Sequence, residues 1–292
     1  MASSTWKTYK TAVESFHQFR ISYNFSQVWP VPIDQLVHFV AYMSCKGFAA
    51  STVSTYISAL SHAHKISSLP DNTKCFIISK ILEGLRRKKP GRPDTRAPIL
   101  PNTLKQLLNS LKSICSSQFE AVLFSSAFAL AYFAMLLVSE IAVQNCSTAT
   151  GHALNFSDFS FQNLNGQDEL LVKIQSSKTD QRGNSITLIL QKQPDISICP
   201  VYLLQCYLRI RTPGTQSSQK LYIHFNGSPL TKHQFGSVLL KALRFCNIPS
   251  HVRSHSFRIG RATNLAMIGV DDKIIKQSGR WASSAFRRYI RI

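Results

Sequence analysis

Apolar residues recur at three- and four-residue steps through the first part of the chain. In "TWKTYKTAVESFHQFR", Trp6, Tyr9, Val13, Phe16 and Phe19 make one stripe, the spacing of an amphipathic helix. Trp29, Pro30 and Pro32 interrupt it, and "IDQLVHFVAYMSCK" predicts a second helix. Past Gly47, "AASTVSTYISALSHAHKI" predicts a third. Val53, Tyr56, Ile57 and Leu60 face inward on it; Ser51, Thr52, Thr55, His62, His64 and Lys65 fall on its more polar part. A fourth helix near "TKCFIISKILEGLRR" ends in the run Arg86, Arg87, Lys88, Lys89, Pro90, Gly91, Arg92. That basic, Pro/Gly-containing run reads as a linker.

Helical periodicity continues beyond it. "LPNTLKQLLNSLKS" predicts a helix with Asn102 or Thr103 as cap, followed by an apolar helix over 117–137. The period then changes to two across "FSFQNLNGQDELLVKIQSSKTDQRGNSITLIL". Asn165-Gly166 marks a hairpin turn and Asp180 to Asn184 a second loop, so a three-stranded antiparallel sheet is expected. Helices resume with "CPVYLLQCYLRIR", "TKHQFGSVLLKALRFC", "SHSFRIGRATNLAMIG" and "DDKIIKQSG". The expected fold is mainly α with a small antiparallel β-sheet. Its parts are a helical domain over 1–88, a basic linker over 89–97 and an α+β domain over 98–292.

Composition changes this picture in three ways. Of 292 residues, 44% are apolar, enough for a core. The 34 Lys and Arg outnumber 14 Asp and Glu, and the net charge of +20 calls for a polyanionic partner. Seven cysteines without a Cys-x-x-Cys pair, behind a polar N-terminus, read as reduced thiols in an intracellular protein, with no metal site. Ala121 to Val138 carries no charge for eighteen residues, the minimum for a membrane span. Its Ala and Ser content and flanking Glu120 and Glu140 favour a helix buried in protein. Gly-x-Gly-x-x-Gly and P-loop patterns are absent, so nucleotide-driven chemistry has no support.

The candidate chemistry lies in the last forty residues: His255-Ser256-Phe257-Arg258, then Gly279-Arg280-Trp281, then Tyr289 among Arg287, Arg288 and Arg291. Arg offers a planar fork for two phosphate oxygens. His can donate or accept a proton near neutral pH, and Tyr supplies a hydroxyl nucleophile. Such a group suits a phosphodiester. The arrangement resembles the tyrosine recombinase (phage integrase-like) family, with its His-x-x-Arg, Gly-His or Gly-Trp, and terminal Tyr. In detail it looks most like the recombinases of eukaryotic mobile elements, the DIRS-like and Crypton-like kinds.

That resemblance implies a helical core-binding domain followed by a catalytic domain, the two clamping duplex DNA. It implies DNA breakage and rejoining, as in recombination and integration, through a 3′-phosphotyrosyl intermediate with no metal or cofactor. Tyr289 takes the nucleophile's place, Arg258 the phosphate clamp's and His255 that of a donor or proton shuttle. Lys178, in the second hairpin loop, stands where the family carries its general acid. Trp281 or Arg280 takes the His/Trp role; Arg280 lies nine residues before Tyr289, the usual interval, and Trp281 is one closer. Arg86, Arg87, Lys88, Lys89, Arg92, Thr52, Thr55 and Lys65 are candidate DNA contacts. A dimer or tetramer on DNA and a nuclear location also follow.

Two departures stand out. The family's first Arg occurs in Gly-Leu-Arg-x-Ser-Glu; here Ser139 and Glu140 match and Leu137 replaces the Arg. A Leu cannot donate to a phosphoryl oxygen. No other Arg lies within ten residues of Leu137, so Glu140 is left without that Arg as a neighbour and the chemistry is expected to be impaired. The second is that three residues follow Tyr289, where the family often carries a further helix exchanged between protomers. A catalytically inactive DNA-binding protein derived from a mobile element is the alternative reading.

Overall fold

The computed structural model describes residues 3–88, 94–145, 152–164, 166–175, 185–211, 219–249 and 251–292. The chain divides into two compact units, one ending at Asp94 and the other starting at Thr95.

The first unit holds α1 (Ser3–Ser22), α2 (Ile33–Cys45), α3 (Ala50–Ile66) and α4 (Phe76–Lys88). The stripe on α1 supplies Phe16 and Phe19 to a core with Phe39 and Met43 of α2 and Val53, Ile57 and Leu60 of α3. His64 departs from its expected place on the polar part of α3. It is fully buried, receives the Val31 amide N–H at Nε2 (2.9 Å) and pairs through Nδ1 with the Leu60 carbonyl (2.7 Å). The loop that Pro30 and Pro32 force between α1 and α2 needs an acceptor for its buried Val31 N–H, and His64 provides it.

The second unit is built round α6 (Gln118–Phe133), which is buried from Ser126 to its end. It packs against α5 (Pro101–Ile114), α8 (Pro200–Ile210) and α10 (Ser256–Met267), while α9 (Lys232–Phe245) covers α5. Among the described residues no helix is long and apolar enough to cross a membrane. The sheet runs β1 (Phe159–Leu164), β2 (Gln167–Ile174), β3 (Ile186–Gln191), all antiparallel. Leu164 pairs with Gln167 across the expected hairpin turn, where Gly166 has φ +79°. Leu170, Val172 and Ile174 of β2 point into the core.

Two expectations need correction. Neither Asn102 nor Thr103 caps α5. Leu100 is the cap residue and Pro101 the first helical one, because proline's fixed φ suits a position whose N–H is not needed. The apolar helix also stops at Phe133 rather than 137. Met135 turns left-handed (φ +47°), and the amides of Met135 and Leu136 reach back to the carbonyls of Tyr132 and Ala131. This is a Schellman ending with Met where glycine is usual. The chain then resumes as α7 (Val138–Ile141).

Candidate phosphate-binding site

Arg258 is the centre of the site. It follows His255 and Phe257 at the start of α10, 6% exposed. Its Nη1 donates to the Met135 carbonyl (3.0 Å) and its Nη2 to the Gly279 carbonyl. Both carbonyls are helix ends. Met135 closes α6, and Gly279 closes α11 (Asp272–Ser278). The second ending repeats the first: Arg280 is left-handed (φ +57°), and the amides of Arg280 and Trp281 bond back to Gln277 and Lys276. Two helix C-termini, each carrying partial negative charge, thus close on one cation. Each holds a non-glycine residue in a left-handed conformation that costs about 1 kcal/mol or more.

Beyond Trp281 a 3-10 turn, Ser284–Tyr289, brings the last candidate back. Thr263 of α10 anchors it, donating to the Tyr289 carbonyl (3.2 Å) and accepting the Arg291 amide (3.0 Å). The Tyr289 ring, half-buried, lies 4.7 Å from the Trp281 ring and 5.0 Å from the His255 ring, centroid to centroid. The Arg258 guanidinium sits 4.5 Å over Trp281 and 5.7 Å over Tyr289. His255, Arg258, Trp281 and Tyr289, spread over thirty-five positions, therefore form one cluster. His255 is the cap residue of α10 rather than part of it. Gly279 permits the arrangement, since a Cβ there would fall 1.7 Å from the Trp281 ring.

Arg280 points elsewhere. Its Nη2 donates to Glu140 (2.8 Å) and to the Met135 carbonyl (3.3 Å). Glu140, without an Arg at position 137, thus takes an arginine neighbour from the far end of the chain. Sequence distance hid the pair, because the left-handed turn at Arg280 carries its side chain to α7. The two side chains are 6% and 2% exposed. Glu140 also accepts the Leu137 amide N–H (2.8 Å) through the same oxygen.

The electrostatics are unbalanced. Two buried arginines face one carboxylate. Burial, with Arg280 adding to it, lowers the Arg258 pKa to about 10; Glu140 and Tyr289 oppose the fall. Among the described residues three N–H groups in this region are buried without an acceptor, Arg258 Nε, Arg280 Nη1 and the Trp281 indole, and one oxygen, Glu140 Oε1, is buried without a donor. Each such group costs about 1–3 kcal/mol, and the excess of donors over acceptors here suits a ligand with several oxygens.

The remaining candidates divide. Lys178, Lys89 and Arg92 lie outside the described residues. Arg86 donates to Ser54 on α3 (3.2 Å), beside Thr55, and Arg87 pairs with Glu83 (2.5 Å). Thr55 is turned onto its own helix, donating to the Ser51 carbonyl (2.9 Å). Thr52 is half-exposed, and Lys88 ends α4, exposed. Lys65 is exposed at the opposite end of α3, about 20 Å from Thr52 at 1.5 Å per residue. Sequence reasoning missed the Met135 carbonyl and Thr263. A signal for Thr263 exists: Ser256, Gly260 and Thr263 fall at helical steps on one face of α10. Gly260 there meets the Ile99 backbone, 1.8 Å from where a Cβ would be.

No protein-family profile and no curated protein matches the chain. Solved structures do. A XerH site-specific recombinase bound to a palindromic difH substrate, a post-cleavage complex, superposes with TM-score 0.67 at 19% identity, over 97% of this chain and 75% of that one. The Tn1549 transposon integrase in complex with transposon right end DNA gives 0.65 at 16%, over 100% and 90%. A lambda integrase dimer bound to a COC′ core site gives 0.62 at 13%, over 99% and 72%. At these identities the likeness establishes the fold, that of the tyrosine recombinases, mostly helical with a small three-stranded antiparallel sheet.

Proposed function

We propose that this chain binds duplex DNA and breaks and rejoins it through Tyr289. The Tyr289 oxygen bonds to phosphorus, the bond to the 5′-oxygen breaks, and a 3′-phosphotyrosyl link holds the strand for religation. The phenol proton leaves to a base, and a proton reaches the departing 5′-oxygen. His255, against the Tyr289 ring, is placed to move protons. Arg258 and the Trp281 indole stabilise the charge that grows on the phosphoryl oxygens.

The observation that carries this reading is the convergence of His255, Arg258 and Trp281 on Tyr289, with buried N–H groups left for an acceptor. The net charge of +20 supports it, because phosphate contacts dominate affinity for DNA. So does the fold, shared with proteins captured on DNA as a dimer and, for lambda integrase on a Holliday junction, as a tetramer. Arg86 and Lys88 fit contacts with the DNA backbone. We extend the reading to recombination or integration by a homo-oligomer, to a mobile-element origin of the DIRS-like or Crypton-like kind, and to a nuclear location.

Leu137 favours a second reading, in which DNA is bound and not cut. Covalent trapping separates the two. The chain and Tyr289→Phe are mixed with nicked duplexes carrying randomised sites, and adducts are resolved on denaturing gels. An adduct that disappears in Tyr289→Phe is the expected result. No adduct, with DNA still held on filters, leaves a protein that only binds. Loss of both removes both readings.

A further inference from the structure

We infer that Arg280 is the second phosphate-binding cation of this site, supplying from the far end of the chain the guanidinium that position 137 lacks. The inference rests on the phosphodiester reading above and concerns how the site is completed.

Position is the first argument. One oxygen of Glu140 accepts both the Leu137 amide and the Arg280 guanidinium, each at 2.8 Å. The guanidinium is thus at most two hydrogen bonds from the Leu137 backbone, although 143 residues separate them in sequence. The Met135 carbonyl accepts from Arg280 and from Arg258, so two guanidinium groups meet at one oxygen.

Charge is the second. Like charges this close repel, and Glu140 cancels one of the two. Burial is the main cause of the depressed pKa of Arg258, and Arg280 lowers it further. A phosphoryl group brought between them supplies the missing negative charge and two or more acceptor oxygens. The third is the donor tally. A purely structural ion pair with Glu140 needs only the Arg280 nitrogen that makes it. Among the described residues Nη1 remains buried without an acceptor, as does Nε of Arg258, against a single unpartnered oxygen in the site, Oε1 of Glu140. Neither is explained by holding α7 in place.

A consequence distinguishes this arrangement from a simple gap at 137. Adding an arginine alone, Leu137→Arg, places a third cation against one carboxylate and is not expected to improve the site. The same change is expected to help once Arg280 is gone.

The test uses the full chain and two readouts. One is binding of inorganic phosphate and of a short duplex, followed by calorimetry, which needs no cleavage. The other is the Tyr289 adduct. Arg280→Gln is expected to weaken phosphate binding by about tenfold or more, the scale of a lost charged bidentate contact. Its adduct yield is expected to fall ~10²–10³-fold, as for a lost oxyanion donor. Arg280→Lys keeps a charge for Glu140 and loses the fork, so it should fold normally and recover only part of either. The double variant Leu137→Arg/Arg280→Gln should exceed Arg280→Gln in both. Unchanged phosphate affinity in a folded Arg280→Gln, or in Arg280→Lys should the first not fold, overturns the inference. If the unmodified chain forms no adduct, the cleavage reading falls. An Arg280-dependent phosphate affinity then still upholds Arg280 as a phosphate ligand, and its absence rejects that too.

Discussion

Each unit buries an arginine, and the two are treated differently. Arg20 of α1 is 2% exposed, donates to Gln35 (2.8 Å) and the Val28 carbonyl (2.9 Å), and lies over the Phe16 ring at 4.4 Å. None of its buried nitrogens lacks an acceptor, although burial lowers its pKa. Arg258 is buried as deeply. It sits beside another arginine, between two strained helix ends, with one nitrogen unmatched. The first unit spends its buried cation on holding a loop; the second keeps one incompletely satisfied beside Tyr289, the proposed nucleophile. Incomplete satisfaction is a cost to the fold and an asset to a binding site, because a ligand can complete what the protein leaves open.

The contrast can be broken by removing each arginine. Arg258→Gln should lower adduct formation ~10²–10³-fold, the loss expected for a donor to developing charge. Its melting temperature should hold or rise, since a desolvated and repelled cation is gone. Arg20→Met should do the reverse. It strips hydrogen bonds from a satisfied network and destabilises the first unit by about 1–3 kcal/mol, while adduct yield per folded molecule stays unchanged. If Arg258→Gln instead unfolds the second unit as Arg20→Met unfolds the first, the two arginines are both structural and the contrast is false.

Two glycines sharpen it further. Gly260→Ala drives a methyl into the Ile99 carbonyl, which is backbone and cannot yield; overpacking of this kind costs about 1–3 kcal/mol. Gly279→Ala drives one into the Trp281 ring. The indole must leave its place beside Tyr289 and under Arg258, so adduct formation should suffer more than stability. Thermal melts paired with trapping read both. Equal losses of stability in the two variants would mean that Trp281 is packed as core.

Much of the fold was legible in the sequence because its signals are local. Periodicity set the helices of the first unit, and Asn165-Gly166 between alternating runs set the β1–β2 register. Within the site, the His255–Arg258 spacing and Tyr289 drew attention to one end of the chain, where the structure brings the three side chains together. The Glu140–Arg280 pair was illegible, since it joins residues 140 positions apart through a left-handed turn that nothing in "SGRWASS" announces. His64 misled for a related reason: a histidine on a polar stripe looks solvated until a loop brings it a buried amide. The helix-ending turn at Met135 uses a residue that rarely adopts that conformation, so its acceptor carbonyl was hidden as well.

The smallest expected effect tests whether the first unit's polar contacts are as complete as Arg20 suggests. Asp71 accepts the Ser61 hydroxyl (2.5 Å), the Thr73 hydroxyl (2.5 Å) and the Thr73 amide (3.2 Å), tying α3 to the turn that precedes α4. Burial by itself would raise its pKa, but these hydrogen bonds and nearby His64 together hold it below the ordinary value of 3.8. A carboxyl lowered in the folded state binds its proton less readily there than in the unfolded chain. Its contribution to stability is thus fully present above the unfolded value and is lost as pH falls through the folded one. Asp71→Asn has no charge to lose. The stability gap between the two proteins should stay constant from neutral pH down to about 5, then narrow steadily below about 4 as the unfolded carboxyl protonates first. Urea melts of both across that range measure the gap. A gap that stays constant to pH 2 would mean the Asp71 carboxylate gains nothing from Ser61 and Thr73, and that the polar contacts of the first unit are looser than their geometry implies.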